Sequence, residues 1–90
     1  MNNQRRKTIG SLLAQIDEIK TKIESIHEDA NNVWDEEQEA MDCMPENLWE
    51  SEQYEKMEEA VSNLEDAVYT LDDIISSLDE VIDSLDAARE

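Results

Sequence analysis

The chain has 90 residues, with 7 basic side chains against 25 acidic ones and a net charge of −18, so the encounter with nucleic-acid phosphates or anionic lipid is opposed and the natural partners are basic. One Gly, one Pro and no Phe leave few helix breakers, which points to long helices in a single domain, residues 1–90, too small to enclose much core by itself. Cys43 is the only cysteine and no apolar run is long enough to cross a bilayer, so a soluble, reducing, cytoplasmic setting is expected.

In the first half, Ile9, Leu12, Ile16, Ile19, Ile23, Ile26, Ala30 and Val33 alternate in steps of three and four. That spacing predicts the a/d seam of a helix packed lengthwise on another, over about residues 8–42. The next a position is Glu37, while Trp34 and Met41 offer an apolar line one residue over, so a change of packing partner is expected near Trp34. Before this seam lie Arg5, Arg6 and Lys7. Cations are unfavourable at a helix N-terminus, and an antiparallel fold would bring them to Asp83, Asp86 and Glu90 for relief.

Pro45 ends the first helix, because it cannot continue the hydrogen-bond ladder and it displaces Met44 from helical geometry. Asn47 with Glu50 has the pattern of a capping box, and Ser51 is a second candidate N-cap. The connection is therefore short, about residues 43–50, with room for one extra turn, and a short link between long helices makes an antiparallel hairpin. Trp34, Met41, Met44, Leu48, Trp49, Tyr54 and Met57 are read as an apolar cluster at the loop end, either plugging the bundle or meeting a partner.

The second helix, about residues 51–88, repeats every seven residues. Met57, Leu64, Leu71, Leu78 and Leu85 take d, and Val61, Val68, Ile75 and Ile82 take a. Ala60, Ala67, Ile74, Val81 and Ala88 form a third apolar line at g. Two helices need only a and d, so the third line predicts another helix against it, supplied by a second copy of the chain in a homodimeric four-helix bundle. Ile16, Ile23, Trp34, Leu64, Leu71, Ile74, Leu78 and Val81 are the expected core and dimer residues. The fold class is all-α: a hairpin with coiled-coil packing that dimerises.

Chemistry is weakly signalled. Glu24 and His27 have the Glu-x-x-His spacing of di-iron bundles, but the register sends both outward or sideways, so no metal is expected. Glu36 with Glu39 and Glu80 with Asp83 are acid pairs that a chain with 25 acids produces by chance. Cys43 has no base near it in sequence. No catalytic residue and no cofactor are expected. What remains is a ladder of ten carboxylates between Met57 and Ala88 (Glu58, Glu59, Glu65, Asp66, Asp72, Asp73, Asp79, Glu80, Asp83, Asp86) with no Lys or Arg among them. Ordinary surface helices mix signs, so an unmixed row suggests a charge pattern kept for a partner.

The residues Pro45-Glu46-Asn47-Leu48, the run from Ser51 to Val61 and the acidic heptads that follow resemble small acidic two-helix proteins recurring in bacteriophages and prophages. The likeness covers most of the chain, and it implies a setting in which small acidic proteins inhibit host enzymes of nucleic acids; it implies no catalytic residues. The functional expectation is a non-enzymatic acidic module that binds a basic protein by mimicking nucleic acid, blocking a nucleic-acid-binding or defence protein inside the host cell. The alternative is a structural or regulatory bundle whose acids only solvate it.

Overall fold

Two long helices carry nearly every residue of the chain. The computed structural model describes all residues from Met1 to Glu90, with α1 at Asn3–Asp42, a short 3-10 turn at Glu46–Leu48 and α2 at Glu52–Ala88. The helices pack antiparallel as a hairpin rod of 69 × 15 × 14 Å. Its radius of gyration, 20.1 Å, far exceeds the ~12 Å of a compact domain of this length.

α1 begins six residues before the apolar pattern does. The Asn2 side chain accepts a hydrogen bond from the Arg5 amide at 2.8 Å and so caps the helix. A good cap and three solvated long side chains suffice to extend a helix without any apolar contact. The basic residues here also have a use across the hairpin. Arg6 donates to the main-chain carbonyls of Arg89 at 3.0 Å and Glu90 at 3.2 Å, placing a cation at the negative end of α2. The expected relief is thus found, but at carbonyls rather than at the carboxylates of Asp83 or Asp86; Asp86 is held by Arg89 of its own helix at 2.8 Å.

At the other end Pro45 stops α1, and Ser51, not Asn47, caps α2. The Ser51 hydroxyl accepts from the Tyr54 amide at 3.2 Å and donates to the Leu48 carbonyl at 2.6 Å, tying the turn to the helix. Glu52 and Glu55 in the first turn complement the dipole. Ser51→Ala is expected to cost about 1 kcal/mol of stability; chemical denaturation of the variant beside the parent measures it.

The seam between the helices differs from the a/d expectation in α1. α2 presents its a and d rows, with Val68 the one fully buried residue of the chain. α1 answers with its a row (Ile9, Ile16, Ile23, Ala30) and the line one residue after d: Leu13, Lys20, His27, Trp34 and Met41, all half-buried. The d row, Leu12, Ile19, Ile26 and Val33, lies exposed on the flank. Trp34 and Met41 therefore continue a line that runs the whole helix, and the partner does not change near Trp34. The line is hard to see in sequence because Lys20 and His27 hold two of its places. They can do so because their polar ends reach across the rim of the seam while their stems pack.

Candidate functional site: an acidic flank and an apolar flank

The ion pairs between helices fix which flank is which. Lys20 Nζ meets Asp79 Oδ1 at 2.6 Å and, one heptad along, His27 Nε2 meets Asp72 Oδ1 at 2.8 Å. The second contact is an ion pair when the imidazole is protonated, and the shielded Nε2 has no other polar partner. Asp72 and Asp79 belong to the e row of α2, so e marks one edge of the seam in both helices. With about 100° between successive residues, the d row of α1 and the g row of α2 both fall on the opposite edge. Those two rows therefore share one side of the hairpin.

The ladder predicted from sequence divides on this geometry. Nine of its ten members, Glu58, Glu59, Asp66, Asp72, Asp73, Asp79, Glu80, Asp83 and Asp86, are exposed, and Glu65 is half-buried. Asp72, Asp79 and Asp86 of the e row each have a basic partner: His27, Lys20 and Arg89. The absence of Lys and Arg from that stretch of α2 is thus partly made good by α1, which a reading of α2 alone could not reveal. The f row is different. Glu59, Asp66, Asp73 and Glu80 form no ion pair; the one remaining pair in the chain is the highly exposed Lys56–Glu52 contact at 3.6 Å. One heptad of helix rise sets these four carboxylates about 10 Å apart in a line facing away from α1.

The hydrogen bond from Lys20 to Asp79 is the main cause of a raised lysine pKa, with the nearby carboxylates of Asp79, Glu24 and Asp17 adding to it and desolvation opposing it. Because the folded value lies above the unfolded one, the pair's contribution is complete below the ordinary lysine range and is lost as pH rises through the folded value. The stability difference between the parent and Lys20→Met is expected to shrink toward zero in strongly alkaline solution, as denaturant titrations across that range would record.

Of the expected core residues, Ile16, Ile23, Trp34, Leu64, Leu71 and Leu78 lie in the seam, half-buried, while Ile74 and Val81 are exposed on the apolar flank. The aromatic cluster expected at the loop end separates into two pairs. Trp34 packs edge-on against Tyr69, ring centres 5.9 Å apart, about 16 Å along the helix from Pro45. Trp49 stacks on Tyr54 at 6.2 Å and donates its indole N–H to the Met44 carbonyl at 3.0 Å, closing the tip with half its surface still exposed. Cys43 is exposed beside it as a free thiol.

The chain forms no pocket, and no three His, Cys, Asp or Glu side chains come together as a metal-binding group. Neither helix is long and apolar enough to cross a membrane. Compared with known proteins, the chain matches no family model, no curated protein and no solved structure.

Proposed function

We propose that the protein is a non-enzymatic binding module that presents its carboxylate rows to a basic protein surface in place of a nucleic-acid backbone. The observation that carries the reading is the outward f row, rigid, regularly spaced and without basic partners. Line charge supports it as well. A net −18 over a 69 Å rod is about one charge per 4 Å, close to the 3.4 Å per phosphate along one strand of DNA. A groove lined with Lys and Arg for phosphates would accept such a rod, with the salt sensitivity of nucleic-acid binding. The resemblance to small acidic phage and prophage proteins gives the corresponding setting, with a host nucleic-acid-binding or defence protein as the target.

The test is capture of host proteins on the immobilised chain, followed by elution with a DNA oligonucleotide at constant ionic strength. Release of nucleic-acid-binding proteins by the oligonucleotide is the expected result. A partner that stays bound through excess DNA and high salt would sink the proposal. The paired e-row members favour the second reading, a structural bundle, for Asp72, Asp79 and Asp86: their carboxylates already serve the fold, whereas the f row, with Glu58 and Asp83 beside it, remains free for a partner.

A further inference from the structure

Leu12, Ile19, Ile26 and Val33 of α1 and Ile74 and Val81 of α2 are each between 40% and 54% exposed on one side of the rod. Beyond them on α2 the c row opens with Lys56 and continues as Asn63, Thr70, Ser77 and Ser84, so from Ala60 to Ala88 neither the g row nor the c row of that helix carries a charge. In a chain with 25 acids, a strip of one helix free of charge over about four heptads is a surface from which charge is kept away. The chain also exposes 6622 Å², about 1,200 Å² more than a compact monomer of its mass. A stable interface removes about 800 Å² from each partner, so a second hairpin laid along this flank would bury enough.

The distribution of charge along the rod chooses the orientation. Residues 26–73, the half of the rod that holds the loop, contain 17 carboxylates and a single base, Lys56, for a net of −16. Residues 1–25 and 74–90, the half that holds both chain ends, sum to −2. Two copies with their loops at the same end would stack −16 on −16; with loops at opposite ends each heavily charged half lies on a nearly neutral one.

We infer that the flank binds a second copy of the chain antiparallel, about a two-fold axis crossing the rod near Ile26 and Ile74. A two-fold of that kind lays α1 on α1 and α2 on α2, an isologous contact. The pairings along it are complementary in size and in charge. Ile26 and Ile74 meet their own counterparts, Ile19 faces Val33, Leu12 faces the small Ala40, and Val81 faces Ala67. On the rim of α1, Lys22 comes opposite Asp29 of the other copy, whereas a same-end arrangement gives Lys22 no such partner. Both f rows remain outside, side by side on the face of the four-helix bundle that the two α2 helices form. The charge is then even along the rod, −18 in each half, at a density of about one per 2 Å, near the 1.7 Å of duplex DNA. The dimer stands on the apolar flank and the charge distribution, and does not depend on what the f rows bind.

Cys43 supplies the test without any substitution, since it is an exposed free thiol at the loop end. Its position about 25 Å along the rod from the axis puts the two copies' thiols about 50 Å apart in the antiparallel dimer. The native chain carrying a nitroxide on Cys43 is examined by sedimentation equilibrium and by double electron–electron resonance. A mass of two chains with a label separation near 50 Å is the expected result. A mass of one chain overturns the dimer, and a two-chain mass with the labels within about 25 Å overturns the orientation.

Discussion

Replacing Val68 with aspartate is expected to remove about half of the hairpin's stability and to lower its melting temperature sharply. Val68, 3% exposed, is the one residue fully removed from solvent, at an a position midway along α2 and beside the Trp34–Tyr69 pair. Every other apolar residue of the seam keeps some exposure, so no second buried centre could hold the helices together once this one opens. An unpaired carboxylate confined there costs about 3–5 kcal/mol, and a domain of this size has a total stability on the order of 5–10 kcal/mol. Ser76→Asp adds the same charge at an exposed position of the same helix and is expected to change stability by about 0.5 kcal/mol or less. Far-ultraviolet circular dichroism through a thermal ramp separates the two variants. A Val68→Asp chain that melts with the parent would show that the seam is not what holds the hairpin.

The second large effect concerns binding and leaves the fold intact. Neutralising the f row with Glu59→Gln, Asp66→Asn, Asp73→Asn and Glu80→Gln takes the net charge from −18 to −14 without touching the three e-row pairs. The variant is expected to melt no lower than the parent, since like charges one heptad apart are removed and no contact is lost. Its affinity for a partner recovered by DNA elution is expected to fall at least tenfold at low salt. The slope of log affinity against log salt is expected to flatten by about 3, at roughly 0.7–0.9 per charge. Unchanged affinity and slope, measured by titration at several salt concentrations, would leave the row as a solvated surface and favour the structural reading of the bundle.

Much of the hairpin was legible because helix periodicity is a local property. The helical spacing of α1, the heptads of α2, Pro45 and the Ser51 cap each act within a few residues, and the two helices, the break and the cap lie where that spacing puts them. The start of α1 is not legible in the spacing, because Asn2 and the long cationic side chains after it extend a helix with no apolar signal. The seam of α1 differs from its a/d pattern for a related reason. The line used passes through Lys20 and His27, whose role depends on Asp79 and Asp72 more than forty residues away.

The same distinction runs through the candidate site. Residue order alone specifies two long helices, their hairpin, an apolar line in α2 beyond what one partner helix can cover, and a carboxylate row of constant spacing. Which carboxylates already have partners, which apolar row of α1 is left uncovered, and that this row shares a flank with Ile74 and Val81 emerge from the packed hairpin. The difference lies in the rotation of one helix about its own axis against the other. A heptad pattern fixes that angle only within about one residue, roughly 100°, and it is the packing of Lys20, His27 and Trp34 against α2 that settles it.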